Sequence, residues 1–212
     1  MELRCAICNV QACSQEPGTK PYPKFCAMSQ ENQALDEARA AYADPDIQRL
    51  ALAAAQTEAD RYPNETRLEE TMSYARRIGA RHLGIAHCAG LMHEARLLAE
   101  IFEENGFQVS TVCCKVGAIP KEEVGITDQE KIRPGGWETL CNPIGQAKLL
   151  NKVGTDLNVL VGLCVGHDTL FFKHAEAPVT VLIAKDRVTG HNPAAAIYTS
   201  HSYYRSRLHP GK

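Results

Sequence analysis

Cysteine is the residue with which this chain would do chemistry: nine occur in 212 residues, in two groups of different character. Five of them, Cys88, Cys113, Cys114, Cys141 and Cys164, stand where short apolar runs end or helices begin. A thiolate is a soft ligand that selects zinc, copper(I) or the irons of a cluster. Immediately before a helix, backbone N–H groups and the helix dipole favour thiolate over thiol, and Cys88, Cys141 and Cys164 each precede a helical pattern. A [4Fe–4S] cluster needs three or four such sulfurs converging, with N–H donors to stabilise its charge. Cys113 and Cys114 are adjacent, so in an extended strand their side chains point to opposite faces. The set Cys88, Cys114, Cys141 and Cys164 therefore predicts an iron–sulfur site, with Cys113 as the alternative to Cys114.

The second group is Cys5, Cys8, Cys13 and Cys26, spaced C-x2-C-x4-C-x12-C. A C-x2-C hook offers two sulfurs to one metal from a tight turn, and two more complete a four-thiolate site. This spacing matches neither the C-x2-C-x2-C ferredoxin run nor a paired zinc ribbon, so zinc and a second iron–sulfur cluster both remain open. Pro17, Gly18, Pro21 and Pro23 interrupt the stretch, which has no aliphatic periodicity. Residues 1–30 thus read as a knuckle whose order comes from ligand bonds.

Polar residues cluster in the sequence next to the later cysteines. His87, Lys115, His167, Asp168, Lys185, Arg187 and His191 fall within one to a few residues of the predicted strand ends. His167, Lys115 and His191 are the catalytic candidates, placed to orient or protonate a small anionic or thio-substituted substrate. Residues 115–140 are too long for a simple connection and are expected to lie over the site as a lid. No G-x-G-x-x-G follows the first strand, and neither a Walker phosphate loop nor a G-x-S-x-G elbow occurs, which disfavours dinucleotide dehydrogenases, NTPases and serine hydrolases.

The elements that must position these residues follow from periodicity. From Glu31 to Gly79 the pattern is helical, with a break expected at Asp44–Pro45 and a stop at Gly79. Then strands at 82–87, 107–113, 157–164 and 179–184 alternate with helices at 91–106, 142–154 and 167–177. This predicts an α/β fold, a Rossmann-like, doubly wound, mostly parallel sheet, with AAAIYTS at 194–200 as an antiparallel edge strand. The expected organisation is a cysteine-rich knuckle over 1–30 and an α/β domain with N-terminal helices over 31–212. Right-handed β-α-β units would bring Cys88, Cys113/Cys114, Cys141 and Cys164 to one edge of the sheet.

Composition narrows the partners. A net charge of −2 and a pI near 6.4 provide no basic field for nucleic acid. No run of about 18 apolar residues would cross a membrane, and MELRCAICNVQAC lacks the order of a secretion signal, so a cytoplasmic protein is expected. In a reducing compartment, dense cysteine points to metal or redox chemistry before disulfides. The implied partner is a small-molecule substrate or an electron-transfer protein.

The blocks STVCCKVG, CNPIGQAKLLN, LNVLVGLCVGHDTLF and APVTVLIAKDRVTGHNP resemble a microbial family of cysteine-rich proteins of unknown function, commonly labelled metal-binding. The resemblance runs from about Cys5 to Tyr198 and implies metal binding without a defined reaction. Two functions are expected to compete. One is an iron–sulfur protein doing redox or sulfur-transfer chemistry at the strand ends; the other is a non-enzymatic zinc-binding or metal-trafficking module.

Overall fold

The computed structural model describes residues 3–211, which form two compact units, one ending at Asp60 and one beginning at Arg61. In the first unit, short 3-10 turns at Cys5–Ile7 and Ala12–Ser14 precede helices α1 (Ala27–Gln30), α2 (Asn32–Ala41) and most of α3 (Pro45–Arg61). Pro45 opens α3, as proline does where the N–H would have no helical partner, and the Asp44 carboxylate accepts from the N–H groups of Asp46 and Ile47. Neither α1 nor α2 buries a residue.

The second unit is built on four strands, β1 (His82–His87), β2 (Gln108–Cys113), β3 (Leu157–Val161) and β4 (Val179–Ile183), in the order β2-β1-β3-β4 and all parallel. β1 and β3 are buried at every position, so neither alternates polar with apolar residues as a half-exposed strand would, and the polar His82, His87 and Asn158 are buried with the rest. Helix α4 (Arg67–Arg77) precedes the sheet, held at its start by a capping box between Thr66 and Glu69. Its Arg67 Nε donates to the Val181 carbonyl at 2.7 Å, and α4 packs on β4.

Helices α5 (Met92–Glu104), α6 (Pro143–Val153) and α7 (His167–His174) make the three crossovers. The chain steps from β1 outward to β2, then back past β1 to β3 and on to β4. Right-handed crossovers therefore place α5 on one face and α6 and α7 on the other. α6 and α7 pack together, and Leu150, Ala147 and Phe171 close over Ala86 and Leu160 of the sheet. Each large apolar side chain buried here contributes on the order of 1.5–3 kcal/mol. Cys88 and Cys114 lie within this same cluster, so the sulfur-bearing edge is continuous with the core.

Two features differ from the sequence expectation. The segment expected as an antiparallel edge strand is helix α8 (Ala194–Tyr198), followed by α9 (Arg205–Leu208). Three consecutive alanines, the best helix formers, follow Pro193, whose φ of −61° already suits a helix, and this local preference prevails. β3 also stops at Val161, short of Cys164. Gly162 has φ +67°, and a Cβ there would run into the Leu91 side chain, so only glycine makes this turn off the strand.

Candidate functional site

Because all four strands run the same way, their C-terminal ends share one edge, and the crossovers diverge there between β1 and β3. At this edge Cys88 still belongs to the ladder, its N–H donating to the Val161 carbonyl at 3.1 Å. Its side chain then caps the 3-10 turn Ala89–Leu91, the sulfur accepting from Gly90 N–H at 3.4 Å. One strand over, Cys114 N–H donates to the His87 carbonyl at 2.9 Å, and its Sγ accepts from Ala89 N–H at 3.3 Å. The two sulfurs thus share one turn of backbone donors, the environment that favours thiolate.

Cys141 arrives after the 115–140 excursion. Asn142 N–H donates to the Cys114 carbonyl at 2.7 Å, which returns the chain beside β2. The Asn142 side chain caps α6 by accepting from Gly145 N–H at 2.8 Å, while its Nδ2 donates to the Val116 carbonyl at 3.1 Å. Gln146, wholly buried one turn into α6, donates from Nε2 to the carbonyls of His87 (3.1 Å) and Val112 (2.6 Å). One amide therefore clamps the ends of β1 and β2, the strands that carry Cys88 and Cys114.

The three sulfurs interact directly. The single proton of the Cys114 thiol, available to Cys88 or to Cys141, is the largest influence on both and draws Cys88 down to about 4 and Cys141 down to about 5. Burial opposes both shifts. Gly90 N–H and Lys185 add to the effect at Cys88; Lys115 and His167 add to it at Cys141. Cys114, flanked by two thiolates, is pushed strongly up and holds its proton. Cys164 stands nearby with Arg187, whose Nη2 donates to its sulfur at 3.3 Å; the guanidinium is held further charged by that sulfur and by Cys88 and Cys141.

The residues expected at the site divide accordingly. Cys88, Cys114 and Cys141 form one coupled group, and Cys164 joins it through Arg187. Cys113 is half-buried on β2 opposite His87 and packs against the core cluster. Lys115 and His167 face Cys141, and the buried Nδ1 of His167 has no hydrogen-bond partner among the described residues. His191 is bound into its own loop: its Nδ1 accepts from Asp186 N–H at 3.1 Å, with the backbone at φ +67°. A cavity of about 160 Å³ opens beside the group, between α7 and the ends of β3 and β4, with Lys185 and Asp168 on its wall.

All nine cysteines are free thiols, and among the described residues no three His, Cys, Asp or Glu side chains already stand as a set that could hold a metal ion. In the first unit Cys5 and Cys8 bracket a 3-10 turn, Cys8 N–H donating to the Cys5 carbonyl at 3.0 Å and Gln11 N–H to the Cys8 sulfur at 3.5 Å. Cys13 lies in the second turn and Cys26 just before α1; Cys5 and Cys13 are exposed, Cys8 and Cys26 half-buried. Gln146 and Asn142 went unrecognised in the sequence as site residues. Asn142 had a readable signal, since Asn followed by Pro marks a capped helix start. Nothing in the sequence singles out Gln146.

Among known proteins, residues 26–182 match the family described as "Protein of unknown function (DUF1847)". An uncharacterized protein of Methanocaldococcus jannaschii, MJ0455, is 41% identical over 210 residues, covering 99% of this chain and 100% of its own length. No solved structure matches. Among the described residues no helix is long and apolar enough to cross a membrane.

Proposed function

This chain belongs to the DUF1847 family of proteins of unknown function, and we propose that its strand-end cysteines hold an iron–sulfur centre serving redox or sulfur-transfer chemistry on a small molecule. The observation that carries the reading is the coupled group of Cys88, Cys114 and Cys141, two of them favoured as thiolates, at the crevice where open α/β sheets place ligands. Support comes from the backbone: sulfurs at this edge accept from Ala89 and Gly90 N–H, the kind of donor that stabilises cluster charge. When bound, a cluster would supply electron transfer or an iron open to substrate.

The chain's own residues define the rest. Cys88, Cys114 and Cys141 are the proposed ligands. Cys164, paired with Arg187, is the fourth ligand or the sulfur carrier. Lys115 and His167, which face Cys141, would orient an anionic substrate or deliver a proton. Lys185 reaches the other side of the group, its Nζ lying 3.4 Å from where a Cβ on Gly90 would stand, beside the Cys88 sulfur. His191, bonded to Asp186, would fix the loop that carries Arg187.

Cys5, Cys8, Cys13 and Cys26 would form a separate metal knuckle, a reading supported by the N–H bond to the Cys8 sulfur in a tight C-x2-C turn. Anaerobic purification with visible spectroscopy and assay of iron, labile sulfide and zinc tests the function. A brown protein that loses iron and sulfide in Cys141→Ala supports the iron–sulfur reading. A colourless protein with stoichiometric zinc favours the metal-trafficking module instead.

A further inference from the structure

The excursion between β2 and α6 is an ordered frame with an unusual opening. Ile119 and Leu140 are joined by backbone, Leu140 N–H donating to the Ile119 carbonyl at 2.7 Å, and Pro120 bridges Thr139. Lys121 pairs with Glu138, whose other carboxylate oxygen accepts from Arg133 N–H at 2.6 Å. Lys131, its side chain only 7% exposed, pairs with Glu122 and Asp128 and donates to the Gly136 carbonyl at 3.0 Å. The Lys121–Glu138 pair and the Arg133 N–H bond border an open cleft of about 370 Å³, a volume within the range of small-molecule sites.

Two of its lining groups are left with their chemistry unspent. Trp137, the one tryptophan of the chain, is 69% exposed although its Nε1 is held by Thr139 Oγ1 at 3.3 Å. The Arg133 guanidinium has no hydrogen-bond or ion-pair partner among the described residues. Lys115 stands on the same wall, tied to the Thr139 carbonyl at 2.5 Å and facing Cys141. With Lys121 neutralised by Glu138 and Lys115 shared with Cys141, the cavity presents a held indole face beside one unpaired guanidinium and one shared ammonium. A flat ring stacks on an indole, and a guanidinium with an ammonium holds a phosphate or carboxylate.

We propose that this cavity binds a planar aromatic anion, a ring bearing a phosphate or carboxylate, with the ring on Trp137 and the acidic group between Arg133 and Lys115. The inference rests on the strand-end centre proposed above and names its substrate class, because Lys115 belongs to both the cavity and the surroundings of Cys141. The thiolate group and the bound ring would then lie on opposite sides of one lysine.

Trp137 supplies its own reporter. Titration of the full chain with adenosine 5′-monophosphate and with nicotinate, followed by tryptophan fluorescence, should give a saturable change for at least one. Adenosine and inorganic phosphate, each lacking one half of the recognised chemistry, should bind at least about tenfold more weakly. By calorimetry, Arg133→Gln and Trp137→Ala should each weaken binding about tenfold or more. Failure of both probes to saturate, or unchanged binding in both variants, overturns the proposal. The two readings fail separately. Saturable binding by protein that stays free of iron and sulfide after anaerobic reconstitution keeps the cavity and removes the centre, whereas metal-loaded protein that binds neither probe removes the cavity and keeps the centre.

Discussion

Cys114 has one proton and two sulfur neighbours, and that imbalance organises the chemistry of the site. A thiol is one donor, so its proton serves Cys88 or Cys141 at any moment, and each is favoured as thiolate when it holds that bond while Cys114 stays protonated. Both lowered groups are charged above their shifted values, so metal-free protein should alkylate at Cys141, and more slowly at the buried Cys88, down to mildly acidic pH. Ordinary thiols, with pKa near ~8.5, would be inert there. Cys114→Ala removes the largest cause and should raise both alkylation midpoints toward the ordinary range, measured by peptide mass spectrometry across pH. Midpoints unchanged by the substitution would show that Lys185, Lys115 and the backbone donors dominate instead. Gln146 matters for a different reason: Gln146→Ala abandons the His87 and Val112 carbonyls and should cost about 1–3 kcal/mol in denaturant unfolding. The cysteines were legible as a set because residue type and strand ends coincide. Gln146 was not, because a buried glutamine that bonds only to backbone carbonyls looks in sequence like any polar residue on a helix.

At the scale of elements, the strands and crossover helices were readable from periodicity, and the break before Pro45 and the stop at Gly79 from local chemistry. Helix α8 was not: a short alanine run beside apolar Ile197 fits strand or helix until the sheet shows where pairing ends. The 115–140 excursion was legible as an oversized connection, but its ion pairs join residues whose partnership no periodic pattern predicts. Those pairs carry a pH signature. Lys131 holds Glu122 and Asp128 below the usual carboxylate range, and Lys121 does the same for Glu138. Carboxylates lowered in the folded state contribute stability that is complete above their unfolded value near ~4.3 and lost as pH falls through the lowered one. The protection factors of the Gly135 and Arg133 amides, which donate to Asp128 and Glu138, should therefore fall in acid relative to neutral pH. Protection undiminished at roughly pH 2 would contradict this. At the entry to α6, Asn142→Ala should cost about 1 kcal/mol through loss of the cap.

For the whole molecule, two units of different make-up share one chain. The unit beginning at Arg61 has buried central strands and an aliphatic core, whereas Ile7, Met28, Leu35 and Tyr42 of the first unit are exposed. Changing Cys5 and Cys8 to Ser should therefore hasten proteolysis of the N-terminal segment and leave the sheet resistant; simultaneous digestion of both would refute their independence. The other sulfurs belong to the unit beginning at Arg61. Protein purified without oxygen, with Cys5, Cys8, Cys13 and Cys26 all replaced by Ser to silence the first unit, isolates the strand-end group. Iron and labile sulfide measured in it, with and without a further Cys141→Ser change, test the account most directly. Iron and sulfide bound near the stoichiometry of one cluster, with visible absorption that Cys141→Ser abolishes, is the result predicted. Protein that stays free of iron and sulfide after anaerobic reconstitution would contradict it.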